Sequence, residues 1–340
     1  MRPRRLLPSA LLAALFACNG DADPPVAAVH AAPSASSSTA LSSPSVSTSP
    51  SPSPPPTPAP PLSPRRAAAL AADVAARSAD LRSSLGPSAR IQTVADLFIL
   101  VARDPSAPLD AVASLIQRAV DALYAGPFSH RPDRSVVVWV FPSEGAFEQA
   151  VSAATGLTAE PKGLGIYDPT QRLVLARPDG SGNGSYLHEI SHPLEIADFP
   201  HAPAWIAEGI PAQLEVVDWS KPGEIHGKAH FRLQTLRDTL AGKDRALAAS
   251  VNLDAVFAMT DPVAFHAGPE YLRYACSREA LRWLDSMGKM WKFYSLFRDS
   301  WLEDKTGVAA FTEVVGKSPA DATADWIRWI NSREAEGAAP

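Results

Sequence analysis

His188-Glu189-Ile190-Ser191-His192 places two imidazoles and a carboxyl in five residues of sequence. On a helix, residues four apart lie one turn above each other, so His188 and His192 share a face. That face is a two-nitrogen clamp for a divalent ion, and zinc is the ion that such a clamp suits. Glu189 lies beside the first imidazole, where its carboxylate can take a proton from a water held by the ion. Two neutral imidazoles need a further ligand. Ala204-Trp205-Ile206-Ala207-Glu208-Gly209-Ile210 reads as a helix start that Pro203 can open, and it offers Glu208. Fifteen residues separate His192 from Glu208, enough for one helix to end near Asp198-Phe199-Pro200 and a second to return beside it. His188, His192 and Glu208 then leave a zinc ion with an open fourth position, which is the pattern of catalytic sites rather than of closed structural ones.

Other ligand sets stay open at this stage. Asp198 occupies the third-ligand position of an HExxHxxGxxD pattern, although Glu195 stands where that pattern needs a turn-forming glycine. His201 is a further candidate. His226 and His230 repeat the four-residue spacing without a carboxylate in the base position, and Gly227 weakens a helix there.

Taken together, HExxH and Trp205-Ile206-Ala207-Glu208-Gly209 resemble the gluzincin clan of zinc metallopeptidases, in particular short peptidase domains with an aminopeptidase-N-like WxxEG motif. The resemblance spans roughly residues 90 to 332, and its specific part is confined to 188 to 215 and 270 to 284. It implies a zincin-like fold, zinc bound by His188, His192 and Glu208, and Glu189 as general base. It also implies that Glu215, seven residues after Glu208, supports the zinc shell. The run from Tyr274 to Leu284 has the spacing of the helix that carries the oxyanion-stabilising tyrosine, which assigns that role to Tyr274, with Tyr271 one turn earlier as the alternative. The chain also departs from the family. The G-x-M-E-N segment that anchors a free substrate N-terminus is absent, so exopeptidase specificity is not implied. Pro193 and Pro211 fall inside the two site helices, where proline kinks a helix. Position 212 is alanine where the thermolysin-type enzymes carry aspartate.

Around these residues the chain divides by composition. Met1-Arg2-Pro3-Arg4-Arg5 is a charged start, and the apolar run from Leu6 to Ala17 is too short to span a bilayer as a stable helix. Residues 1–18 read as a signal peptide whose end, Leu15-Phe16-Ala17-Cys18, resembles a bacterial lipobox; an ordinary signal peptide cut nearby is the alternative. A lipid on Cys18 anchors the protein to a membrane, and Asn19 after it favours the outer membrane by the usual lipoprotein sorting pattern. Residues 19–64 are dominated by Pro, Ser, Ala and Thr and carry too little apolar content to offset their conformational entropy, so they read as a disordered tether. Residues 65–89 form a helical lead-in with Leu70, Val74, Leu81 and Leu85 at helical spacing and Gly86-Pro87 as its stop. This helix is either a lid on the domain or a continuation of the tether.

The fold class expected for residues 90–332 is α+β, a small mixed sheet followed by a mainly helical C-terminal part. Strands are expected over 91–101, 135–141, 163–167 and 172–176, and helices over 109–124 and 144–154. After Glu215, helices are expected around 224–241, 253–258, 268–287, 289–300, 307–315 and 320–331. The strand from Arg172 to Ala176 is the candidate edge for pairing with an extended substrate. The net charge is −5, with no basic block in the folded part, so nothing points to nucleic acid. Two cysteines, one in the lipobox, leave Cys276 unpaired. The functional expectation is an exported, tethered zinc peptidase acting on a peptide or protein. The alternative is a binding lipoprotein that keeps the fold without catalysis, but such a scaffold does not require Glu189.

Overall fold

The computed structural model describes residues 61–155, 165–178, 184–219 and 224–333. The leader with Cys18, nearly all of the tether, Gly163-Leu164 and the glycine-rich run 180–183 lie outside the described residues. The first half alternates helix and strand as α1 (Pro64–Leu85), β1 (Arg90–Val94), β2 (Phe98–Ala102), α2 (Leu109–Ala125), β3 (Val136–Trp139), α3 (Glu144–Thr155), β4 (Gly165–Asp168) and β5 (Leu173–Ala176). The two site helices follow as α4 (Gly184–Asp198) and α5 (Ala204–Leu214), then a small ribbon of β6 (Val217–Asp218) and β7 (His226–Gly227). The remainder is helical: α6 (Phe231–Ala241), α7 (Arg245–Ala249), α8 (Leu253–Phe257), α9 (Pro262–His266), α10 (Glu270–Ser286), α11 (Met290–Asp299), α12 (Val308–Val315) and α13 (Pro319–Ser332). The fold is α+β, a mixed five-stranded sheet followed by a mainly helical C-terminal part.

The sheet order is β1-β2-β3-β5-β4. β2, β3 and β5 run parallel at the centre, while β1 and β4 flank them antiparallel. Alternation along the strands sends Phe98, Leu100, Val136, Val138, Val174 and Ala176 into the main core, against Leu187, Ile190 and Leu194 of α4. The intervening Ile99, Val101 and Val137 face the other way, onto Val74, Leu81 and Leu85 of α1. The central strands are therefore apolar on both sides, as strands sandwiched between helices must be. α1 is fastened to that second face by Asp73, which accepts from Ser135 N and Oγ and pairs with Arg172 at 2.8 Å, and by Arg77, which donates to the Ser135 and Gln171 carbonyls. The site helix lies on the opposite face of the sheet. α1 is thus a brace behind the sheet and not a lid on the site.

Three expectations from the sequence need correction. Residues 91–101 are a hairpin rather than one strand, turned by Ala95 (φ 53°) and Asp96 (φ 55°), both left-handed. Tight hairpin turns demand that geometry, and it is normally announced by glycine or asparagine. β5 lies inside the sheet between β3 and β4, so the edge on the site side is β4. His226 and His230 do not share a helix, since His226 lies in β7 and His230 is the N-cap of α6. The region beyond Glu215 also contains α7 and α9, two short helices that the sequence pattern did not reveal.

Candidate metal centre

α4 runs unbroken through Pro193, and both imidazoles project from it before the proline. Its start is tied to the sheet by Tyr186, whose hydroxyl accepts from Phe141 N at 3.2 Å. α5 begins at Ala204, with Pro203 as the N-cap. The orphan N–H groups of its first turn are met from outside the helix, Ala204 N by the Thr260 carbonyl and Trp205 N by the Met259 carbonyl. Trp205 is fully buried against Phe257 and Phe293, which fixes the helix on the C-terminal core. Gly209 lets α5 approach α10 closely, because a Cβ there would sit 2.8 Å from Leu281 Cδ1. Through that approach Tyr274 of α10 reaches Glu208 of α5.

These elements bring His188, His192 and Glu208 together, with one ligand atom from each within 4.8 Å of the other two. His188 Nε2 is 3.6 Å from Glu208 Oε2, and the Tyr274 hydroxyl donates to the same oxygen at 2.9 Å. The rear nitrogen of His188, Nδ1, faces Glu215 Oε1 at 3.0 Å. That contact suits an Nδ1 proton donated to Glu215, an arrangement in which Nε2, on the cluster side, would supply the lone pair once its own proton is given up to a metal. Glu215 is held in turn by Arg232, at 2.8 Å, with His230 at 3.4 Å. The proline in α5 does not displace Glu215, which caps the helix in helical geometry.

The charge states follow from the surroundings. Burial pulls His192 down to about 4, against the attraction of Glu208, so the neutral imidazole is the form present at neutral pH. Burial would raise Glu208, but His188 and His266 outweigh it and hold the carboxylate well below its usual range. The same contest holds for Glu215, with Arg232 and then His188 overcoming burial. Two imidazole nitrogens and an ionised carboxylate oxygen around one point are a donor set for a divalent cation. The cluster could hold a metal ion.

Glu189 is 1 % exposed and lies against β4. A Cβ on Gly165 would meet Glu189 Cγ at 2.5 Å and Oε1 at 2.8 Å, so the strand can close over this side chain only because residue 165 has none. Tyr167 of the same strand stacks on His192, with ring planes 11° apart and centroids at 6.5 Å.

His266 was not singled out by the sequence. It closes α9 with Nε2 3.6 Å from Glu208 Oε1 and Nδ1 2.6 Å from Glu270 Oε1. Burial lowers its pKa, but Glu208 and Glu270 outweigh burial and raise it to about 9. The other candidates are engaged elsewhere. Asp198 accepts from the Ser129 and His130 backbone N–H groups, from the Tyr294 hydroxyl and from Arg298, a structural hub away from the cluster. His201 stacks on Trp301, and His226 pairs with Asp285 and Glu224. Tyr271, the alternative to Tyr274, is exposed. Cys276 is buried and free. Comparison with known protein families, with curated proteins and with solved structures returns no match.

Proposed function

We propose that this protein is a zinc-dependent peptidase of gluzincin type. The observation that carries the reading is the convergence of His188, His192 and Glu208, with Glu189 in the same cleft as His192 and Glu208 and with Glu215 behind His188. The fit to a metal rests on the same geometry: His188 Nδ1 is committed to Glu215, while Nε2 faces Glu208 Oε2 at 3.6 Å, on the side of the cluster where a metal would be held. Zinc bound there would polarise a scissile carbonyl and acidify a water molecule. Glu189 takes the proton from the attacking water and delivers it to the leaving amine, from a position fixed by the strand backbone at Gly165. The Tyr274 hydroxyl, already next to Glu208, donates to the oxygen that gains negative charge. β4, the strand at the edge of the sheet, offers its backbone for pairing with an extended peptide, and Tyr167 on it lines the cleft.

Glu189→Gln tests this directly, since it keeps shape and reach but removes the base. Zinc content should survive while cleavage in a broad peptide library falls by roughly two to four orders of magnitude. Equal cleavage by both proteins contradicts the role, and zinc binding without any cleavage by either supports a binding lipoprotein instead. At the N-terminus the proposal is export and lipid anchoring through Cys18, with residues 19–64 as the tether. No helix of the described residues is long and apolar enough to cross a membrane. Cys18→Ser should release the protein from the membrane fraction, and unchanged membrane association would count against the anchor.

A further inference from the structure

The cleft that contains Glu189, His192 and Glu208 encloses about 680 Å³ and also contains a carboxyl that the reaction above does not use. Glu195 lies on α4 one turn beyond His192, 2 % exposed, and its Oε1 is buried without a hydrogen-bond partner among the described residues. A buried carboxyl oxygen with no partner is rare and calls for an explanation. No lysine or arginine lines the cleft, and His266, whose pKa is raised to about 9, pairs with Glu208 and Glu270 rather than with Glu195. Burial, with Glu208 and Asp198 nearby, pushes its carboxyl well above the usual range, the signature of an acid left uncompensated.

The same cleft is lined by apolar side chains, with Ile166 from β4, Ile196 and Phe199 at the end of α4, and Val263 from α9. An apolar sleeve that also carries an unpaired carboxyl matches a side chain with an aliphatic stem and a cationic head. A free α-amine has a charge but no stem to fill such a sleeve. Acidic side chains would meet Glu189, Glu195 and Glu208 together.

We infer that Glu195 and its apolar surround form the subsite for a basic side chain, so that the preferred substrates are peptides with lysine or arginine next to the scissile bond. The inference rests on the peptidase reading for its site, yet it concerns binding and is tested apart from catalysis. N-acetylated, C-amidated peptides of one sequence, with lysine, norleucine or glutamate at each position flanking the scissile bond, serve as probes. With the full-length protein, kcat/KM for lysine should exceed that for norleucine by at least about tenfold, the value of one charge-assisted contact. In Glu195→Gln that ratio should fall to near one. Isothermal titration of the same peptides into Glu189→Gln should show the same lysine preference, and the Glu189→Gln/Glu195→Gln double variant should lack it. Glu195→Leu replaces the Gln variant if circular dichroism shows the latter misfolded.

Equal handling of lysine and norleucine by the unsubstituted protein overturns the inference, as does a preference that survives Glu195→Gln. A lysine advantage that appears only with free N-termini assigns the carboxyl to an α-amine and overturns it too. Selective lysine binding that depends on Glu195, with no peptide cleaved, upholds the subsite while the hydrolytic reading fails. Absence of both cleavage and selective binding removes both.

Discussion

Gly165→Ala adds one methyl group at the point where β4 presses on Glu189. The new carbon would stand 2.5 Å from Glu189 Cγ and 2.8 Å from Oε1. Carbon atoms in contact normally lie about 3.5–4.0 Å apart, so the carboxyl or the strand must yield by about 1 Å. Gly165 is not among the glycines with positive φ, so alanine accepts the backbone and the effect is confined to this contact. Misplacement of a catalytic group by about 1 Å costs on the order of 10²-fold, and overpacking of this kind costs about 1–3 kcal/mol of stability. The expected outcome is therefore kcat/KM about a hundredfold lower, with the zinc content of the unsubstituted protein. A peptide cleavage assay run beside elemental analysis measures both. Activity within twofold of the unsubstituted protein would refute the claim that Gly165 positions Glu189, and loss of zinc would show that the strand supports the ligands instead.

Glu215→Gln removes the charge behind His188 Nδ1, and zinc affinity measured against a competing chelator should weaken by about 10–100-fold; unchanged affinity would mean that Glu215 only neutralises Arg232. His226 is raised to about 9, chiefly by its hydrogen bond to Asp285, with Glu224 adding to it against burial. A histidine whose pKa rises on folding stabilises the folded state fully below its unfolded value of about 6.5, and loses that contribution as pH climbs through about 9. Chemical denaturation should accordingly show stability falling between pH 6.5 and 9, with a shallower fall in His226→Gln; identical slopes would exclude the ion pair as the cause.

The candidate ligands were legible in the sequence because their relation is local. A four-residue spacing on a helix fixes the relative direction of His188 and His192 whatever surrounds them, and Glu208 follows from a helix start with its own apolar pattern. The placement of Glu215 was less secure in the sequence, since Pro211 threatened it, yet α5 absorbs the proline. His266 was missed because Glu270, which orients it, lies across the break between α9 and α10, where no periodic signal connects them. The edge of the sheet was misread for a similar reason. β5 precedes the site helix in the chain, but strand order comes from non-local pairing, and the antiparallel return puts β4 outside it. The β1–β2 turn escaped notice because Ala95 and Asp96 adopt left-handed geometry without glycine. Glu195 stood in the sequence only as a residue that breaks a rival motif; its isolation became visible once the helix was packed.

Zinc stoichiometry of the purified full-length protein, determined beside that of a His188→Ala/His192→Ala double variant, tests the central claim most directly. The cluster predicts one zinc per chain in the first and none in the second, both proteins being folded by circular dichroism. Full zinc retention by the double variant, or a folded unsubstituted protein that takes up no zinc when it is supplied, would contradict the metal centre at His188, His192 and Glu208.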